Sequence, residues 1–92
     1  MIGNFRHRGL RRLFENADRS GIRSDLVDKV ERVLLRLDAA ESASDMDIPG
    51  FHLHRLRGDL KGFWSVAISR NWRIVFRFES GDARDVDLVD YH

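Results

Sequence analysis

The side chains best suited to acid–base chemistry stand together at the carboxyl end of the sequence, as Asp90, Tyr91 and His92. A carboxylate, a phenol and an imidazole can each hold or release a proton, and general acid–base catalysis needs such groups within hydrogen-bonding reach of a reacting atom. Residues 84–89 alternate apolar with polar side chains, which predicts a half-buried strand that runs into this triplet. A purely structural interpretation is also open, in which Tyr91 covers a sheet edge and His92 is solvated.

Two histidines are a second group of candidate reactive residues. His52 and His54 lie two residues apart in a predicted strand, so we expect their side chains on the same face. Together with Asp90 and His92 they are a conceivable set of metal ligands. No HExxH-like combination of ligand and base accompanies them, and we predict no bound metal. His54 alone could act in acid–base catalysis, bind phosphate or be an ordinary polar residue of the strand.

Arg73 is the basic residue whose position most needs a partner. It stands among apolar residues of a predicted central strand, where an unpaired charge is costly. Asp90 would satisfy the guanidinium in a structural ion pair, and a bound phosphate would satisfy it as part of a binding site. The residues alone leave both interpretations open.

Further basic residues cluster before and between the predicted middle strands. The cluster consists of Arg55, Arg57, Lys61 and Arg70. Such a cluster can hold the phosphates of a nucleic acid, although most clusters of this kind are only solvated. Asn71 is either a routine turn residue or a contact to a base edge. Arg77 shares its predicted strand face with Arg73.

Composition limits the classes of function. The chain has 92 residues, of which 42% are hydrophobic and 34% charged, as in a soluble globular protein, and we predict a single domain over residues 1–92. The absence of cysteine excludes disulfides, thiolate nucleophiles and cysteine-type zinc sites. No apolar run approaches the ~20 residues that span a bilayer, and no signal-peptide pattern is present, so we expect a cytoplasmic protein without a membrane partner. The net charge of +1 conceals alternating basic and acidic blocks, among them six basic residues against Asp59 alone in residues 48–77.

Hydrophobic periodicity predicts a small α+β fold. Residues 2–5 suit a short first strand, and apolar residues at helical spacing predict one helix from Arg8 and another from about Asp25 to Ala40, with Ser24 as its N-cap. After a loop over residues 41–50, alternating segments predict four strands. These are residues 51–56, 63–69, 72–78 and 84–89. Short connections make successive strands antiparallel, so we predict a two-helix hairpin on one face of an antiparallel sheet.

Several sequence motifs occur together in a characteristic order. They are LHRLRGDLKGFWSV, then NWRIVFRF, then a GDA turn and a closing VDLVDYH. In this order and spacing the chain resembles the HigB branch of the RelE superfamily of bacterial toxins. The resemblance covers essentially the whole sequence, including the opening Ile-x-x-Phe and the loop before Pro49, and it implies the RelE-like arrangement of two helices on a sheet.

The resemblance also implies an activity and partners. It implies a ribosome-dependent endonuclease of messenger RNA, neutralised by a helix-turn-helix antitoxin that represses the shared operon, so that operator DNA is contacted only through the antitoxin complex. Such an enzyme needs no cofactor. A metal-free ribonuclease can use the 2′-hydroxyl of its substrate as nucleophile, provided that a base, an acid and phosphate-binding cations surround the reacting phosphate.

Site roles follow from the resemblance, position by position. The catalytic histidine falls on His54, the phosphate-binding arginine on Arg73, and the acid–base group on Asp90, Tyr91 and His92. Phosphate or RNA contacts are expected from the other polar residues already named, which are Arg55, Arg57, Lys61, Arg70, Asn71 and Arg77. Arg57 stands where many relatives carry lysine. A phosphate contact survives that change, but proton transfer does not, because arginine stays charged.

A second class of function stays open at this stage. The same basic surface would suit a binding module without catalysis, which grips RNA or a protein partner and acts mainly with the antitoxin in regulating the operon.

Overall fold

The structure, a computed structural model, describes residues 1–91 of the 92-residue chain. The helices are α1 (Arg8–Asn16) and α2 (Val27–Ala39), and the strands are β1 (His54–Arg55), β2 (Trp64–Ala67), β3 (Trp72–Glu79) and β4 (Asp82–Asp90). Two short 3₁₀ helices, Ala43–Met46 and Gly58–Leu60, lie in the connections. His92, which the sequence predicts to be catalytic, lies outside the described residues.

The four strands form one antiparallel sheet in the order β1-β2-β3-β4. Each strand therefore pairs with the strand that follows it in the chain, as the short connections predict. The register places Arg73 of β3 between Ala67 of β2 and Val89 of β4. The predicted antiparallel meander is confirmed.

Both helices pack on the same face of this sheet, and the core lies between the two layers. Apolar residues at helical spacing form one side of the core, and alternate residues of the strands form the other. The core includes Leu10, Leu13, Val30, Val33, Leu34 and Leu37 from the helices and Val66, Ile74, Phe76, Val86 and Leu88 from the sheet. This arrangement confirms the predicted α+β class. No helix in residues 1–91 is long and apolar enough to cross a membrane.

The N-terminal segment lies along β4 as two isolated parallel bridges, Ile2 with Ala83 and Phe5 with Val86, and not as the continuous strand that the sequence predicts. A bulge in β4 explains the interruption. The register of β3 and β4 shifts between Val75 and Arg77, and Asp85 of β4 takes a left-handed backbone with a φ of 53°, as a bulge residue often does.

Three local predictions need correction. The second helix begins at Val27, and its N-cap residue is Leu26 without a side-chain cap, so Ser24 does not cap it. The strand predicted over residues 51–56 is reduced to His54–Arg55. The reason is His52, whose left-handed φ of 50° breaks the extended backbone and the same-face relation with His54.

Candidate active site

The face of the sheet turned away from the helices, called the outer face below, carries most of the predicted site. Ile74 and Phe76 of β3 are buried in the core, so the alternate residues of β3 belong to the outer face. The pairing of the strands then assigns the neighbouring positions to the same face. The outer face contains His54, Ser65, Ala67, Arg73, Val75, Arg77, Arg84, Asp87 and Val89.

Arg73 is held on this face by two neighbours. Its Nη1 donates a hydrogen bond to the Ser65 hydroxyl at 3.3 Å, and its guanidinium carbon lies 5.7 Å from the centre of the Tyr91 ring. Among the residues that the structure describes, no carboxylate lies within salt-bridge distance of Arg73. Asp90 pairs with Trp72, next to the pair of Arg73 with Val89, so strand alternation assigns Asp90 to the other side of the sheet. A guanidinium has five N–H donors, and in the described part of the chain one nitrogen of Arg73, Nη1, donates to a side chain, that of Ser65.

Tyr91 is anchored at the end of the sheet through its backbone. Its N–H donates to the carbonyl oxygen of Asn71, in the turn between β2 and β3. The ring is 41% exposed, so one of its faces is against Arg73 while much of its surface is open to solvent. This contact brings Asn71, Arg73 and Tyr91 to one end of the outer face.

His54 occupies the edge strand β1, two strands away from Arg73. It pairs directly with Ser65, and its side chain is exposed. From the strand spacing and the two-residue offset along the sheet, the Cα atoms of His54 and Arg73 are about 12 Å apart. Both side chains stand on one face, and both are long enough to reach toward a single phosphodiester between them.

Asp90 is placed differently from the other predicted catalytic residues. It is the last residue of β4 and pairs with Trp72, whose neighbours at the same parity point into the core. By alternation Asp90 belongs to the helix side of the sheet, at its end. Its charge also reaches Arg23, because Asp25 mainly, and Asp90 to a smaller extent, raise the pKa of that guanidinium.

The predicted basic cluster does not form one patch. Arg57 and Lys61 flank the 3₁₀ turn before β2, whereas Arg70 stands in the turn after it. The two groups are thus at opposite ends of β2, and all three side chains are exposed. Arg55 pairs with Trp64 and packs its guanidinium 4.8 Å from the centre of that ring, so it belongs to the helix side of the sheet.

Arg77 lies on the outer face but is already paired. Its Nε donates to Asp85 at 2.7 Å and its Nη1 to Glu79 at 2.6 Å. The same contacts raise the pKa of Arg77 and lower the pKa of Glu79. The pKa of Asp85 is lowered as well, mainly by a hydrogen bond from Asn4 and then by Arg77. A phosphate contact by Arg77 would have to compete with both carboxylates.

The described part of the chain contains no cluster of side chains suited to bind a metal ion. No group of three or more histidine, cysteine, aspartate or glutamate residues in residues 1–91 is arranged to hold an ion.

Ser65 and Asp87 are two polar outer-face residues that the sequence reasoning did not select as functional. Strand alternation already placed Ser65 on the face opposite Trp64, so the signal was present in the sequence. Its contact with Arg73 depends on the register of β2 and β3, which alternation alone does not determine. Asp87 stands in the same cross-strand row, opposite Val75.

Comparison with a solved structure supports the architecture. A YoeB/ParE toxin from Agrobacterium tumefaciens superposes with a TM-score of 0.51 over 89% of this chain and 83% of that chain, at 19% identity. At this identity the likeness concerns the fold alone.

Sequence comparison decides the family. A family model described as the RelE-like toxin of type II toxin–antitoxin system HigB matches residues 3–92. The chain belongs to this HigB-like toxin family. It is 39% identical to an endoribonuclease HigB of Proteus vulgaris over 92 residues, the full length of both. It is 33% identical to toxin HigB-1 of Vibrio cholerae over 90 residues, which cover 96% of this chain and 95% of that toxin. Membership in a toxin–antitoxin family implies an antitoxin as partner of this HigB-like chain.

Proposed function

We propose that this HigB-like toxin is a ribosome-dependent, metal-independent endoribonuclease that cleaves messenger RNA in the ribosomal A site. In the proposed reaction the 2′-hydroxyl of the substrate attacks the adjacent phosphorus, and the bond to the 5′-oxygen of the next nucleotide breaks. The products are a 2′,3′-cyclic phosphate and a free 5′-hydroxyl. The full-length relative named as an endoribonuclease supports the class of reaction.

The environment of Arg73 is the observation that carries the proposal. A cation on a sheet face that has a neutral hydroxyl and an aromatic ring as its contacts keeps its full charge for a ligand. Guanidinium groups match phosphate oxygens through parallel hydrogen bonds. During attack the phosphate gains negative charge, and donors fixed in advance at that position stabilise the transition state more than the ground state.

Proton transfer is assigned to the acid–base residues that the sequence predicts. His54 and His92 are the proposed proton carriers, with Asp90 orienting an imidazole or taking a proton itself. Tyr91 would stack on a base or donate to the phosphate, because its exposed ring stands at the same end of the face as Asn71. Asn71, in the exposed turn, is the proposed contact to a base edge.

Dependence on the ribosome has a physical reason. The outer face is a shallow surface on a four-stranded sheet, and the exposed basic residues stand at its two ends. Such a surface makes few contacts that could hold free RNA in the in-line geometry that 2′-hydroxyl attack requires. A ribosome that already holds the codon would supply this positioning. Arg57, Lys61 and Arg70 would contact RNA phosphates around the codon.

The antitoxin partner follows from the family, and its finer description belongs to the proposal. We propose that it is a helix-turn-helix protein of the HigA type that represses the shared operon, so that the toxin meets operator DNA only within the complex.

A messenger with a single 2′-deoxynucleotide tests the proposed chemistry. Purified ribosomes are stalled with one defined codon in the A site, and the 2′-hydroxyl beside the scissile phosphate is either present or removed. We expect cleavage of the all-ribose messenger to a 2′,3′-cyclic phosphate, and loss of cleavage at the deoxy position, because the nucleophile is missing. Equal cutting of both messengers would overturn the mechanism.

Metal independence has a separate test. A chelator selective for transition metals is added while magnesium is held constant for the ribosome. Unchanged cleavage is expected, and loss of cleavage that added zinc restores would contradict the proposal. The Arg73→Ala variant, which we expect to bind the ribosome but to cleave far more slowly, serves as the control for contaminating ribonuclease.

A further inference from the structure

Ser65 is the buried polar residue of the described chain. Its exposed fraction is 1%, and the other residues buried to this degree in the core are hydrophobic. A hydroxyl in such a place is costly to bury without a hydrogen-bond partner. Its partner is Nη1 of Arg73, at 3.3 Å, so the burial of Ser65 and the position of Arg73 are linked.

The register makes this contact a diagonal one. Ser65 pairs with Val75, and Arg73 pairs with Ala67, so the guanidinium reaches back along the sheet to the hydroxyl. On the other side of β2, Ser65 pairs with His54 of β1. Directly opposite residues have Cβ atoms about 5 Å apart. Ser65 thus both contacts Arg73 and stands beside His54.

The neutrality of the hydroxyl distinguishes this contact from the ion pairs elsewhere on the outer face. Arg77 is held by the carboxylates Asp85 and Glu79, which fix its position but neutralise its charge. A serine hydroxyl accepts a hydrogen bond without a counter-charge. It can therefore orient the guanidinium of Arg73 and leave the whole positive charge for a phosphate.

We propose that Ser65 is a positioning residue for catalysis: it fixes the guanidinium of Arg73 between its own hydroxyl and the Tyr91 ring, in the orientation that receives the scissile phosphate. This inference rests on the proposed endoribonuclease function. It assigns Ser65 no contact with the substrate and no proton transfer. Removing the hydroxyl leaves Arg73 charged but free to rotate, so the loss appears in the chemical step and depends on Arg73.

The test compares Ser65→Ala with Ser65→Thr, which keeps the hydroxyl, and with Ser69→Ala, which removes an exposed hydroxyl in the turn after β2. Cleavage is measured in single turnover on ribosomes stalled with one codon in the A site, at saturating toxin. We expect Ser65→Ala to slow cleavage by about tenfold to a hundredfold, since small misplacement of a catalytic group costs this much. Ser65→Thr should stay within about threefold of the unchanged chain, and toxin binding to the ribosome should be equal in all variants.

A double-mutant cycle separates positioning from a general structural effect. In an Arg73→Ala background, the Ser65→Ala change should no longer slow cleavage, because the group that it orients is gone. Equal slowing in both backgrounds would overturn the proposal, and so would cleavage by Ser65→Ala at the unchanged rate.

A second readout needs no substrate and keeps this inference apart from the proposed function. In NMR spectra of the free toxin, rotation about the Cζ–Nε bond of Arg73 should be faster in Ser65→Ala than in the unchanged chain or in Ser69→Ala. If the unchanged chain shows no cleavage, the endoribonuclease proposal fails. An unchanged rotation rate in Ser65→Ala overturns the positioning role whatever the activity is.

Discussion

At the scale of single residues, Arg73 and Arg77 are two arginines of one strand with opposite environments. Arg77 donates to two carboxylates, whereas Arg73 contacts a hydroxyl and an aromatic ring. Strand alternation predicts that both stand on the same face, but not which one is neutralised. The difference lies in the neighbouring strand: Asp85 of β4 accepts a hydrogen bond from Arg77, whereas Arg73 stands opposite the apolar Val89.

Replacement of Arg73 should affect activity far more than stability. We expect Arg73→Ala to reduce the cleavage rate by on the order of 10²–10³-fold, because a preorganised donor to the transition state is lost. Arg73→Lys should recover only part of the rate, since an ammonium lacks the planar fork. Single-turnover cleavage on stalled ribosomes measures both. Arg32→Ala, an exposed arginine of α2, is the matched control and should cleave normally.

Two substitutions of Tyr91 distinguish a role of its aromatic ring from a role of its hydroxyl group. Tyr91→Phe keeps the ring against Arg73, and Tyr91→Ala removes it. If the ring only supports the cation, the phenylalanine variant should keep full activity and the alanine variant should lose about twofold to fivefold, as for an exposed cation–π contact. A large loss in Tyr91→Phe would instead assign the hydroxyl a part in binding or proton transfer.

We expect the contribution of Asp85 to the free energy of unfolding to depend on pH. Its pKa is lowered below the ordinary value of 3.8, mainly by Asn4 and then by Arg77. The ionised carboxylate therefore stabilises the fold above pH 3.8, and this contribution is lost as the pH falls toward the lower folded-state pKa. Urea unfolding should give Asp85→Asn a deficit of about 1 kcal/mol at pH 7, and the deficit should shrink progressively as the pH falls below 3.8. A deficit that is constant with pH would contradict this account.

At the scale of elements, the contact between α1 and the following loop depends on two glycines. A Cβ at Gly9 would lie 2.9 Å from the carbonyl carbon of Gly21 and closer still to its oxygen, and a Cβ at Gly21 would lie 2.8 Å from the Cα of Gly9. Both obstacles are backbone atoms, which cannot move aside cheaply. The two segments approach this closely because neither residue carries a side chain.

Gly9→Ala should therefore destabilise the protein, although alanine is the better helix former by about 1 kcal/mol. We expect a net loss of about 1–3 kcal/mol in the free energy of unfolding, as for other overpacked sites. Gly3→Ala is the matched control. The three atoms nearest its added Cβ all belong to the flexible end of the Arg84 side chain, so its unfolding free energy should change little. Equal effects of the two substitutions in urea unfolding would refute the explanation.

Most helices and strands agree with the sequence predictions, and the exceptions have local causes. Periodicity predicted both helices, the sheet and its meander, because each depends on a local repeat of apolar residues. The start of α2 was missed because Leu26 forms its N-cap position without a side-chain bond, while the expected cap was Ser24. The short β1 and the β4 bulge were missed because His52 and Asp85 take left-handed backbones. This conformation is uncommon for residues other than glycine, so hydrophobic periodicity does not predict where it occurs.

The candidate site was predicted in part for a similar reason. His54, Arg73 and Tyr91 were named from the sequence, and they stand on or beside the outer face. Ser65 was not, because its hydroxyl gains importance only through a diagonal contact across the sheet. The separation of Arg57 and Lys61 from Arg70 by the length of β2 likewise follows from the folded sheet and not from their closeness in sequence.

At the scale of the whole molecule, the two faces of the sheet have different roles. The helices and the inner face of the sheet provide the core, so the polar outer face is left for a ligand. Family membership adds an antitoxin partner, and the proposed substrate is a messenger held by the ribosome. The proposed ribosomal target is far larger than the 92-residue chain, which accords with a toxin that borrows substrate positioning from its target.

Mapping of RNA 5′ ends in a purified translation system tests whether the toxin cleaves messenger RNA on the ribosome. The unchanged toxin and the Arg73→Ala variant are added to the same messenger, with ribosomes translating it or left out. The account predicts new 5′-hydroxyl ends at a fixed position within A-site codons, in the reading frame, only with the unchanged toxin and only during translation. Absence of such ends, equal ends without ribosomes, or equal ends with Arg73→Ala would contradict it.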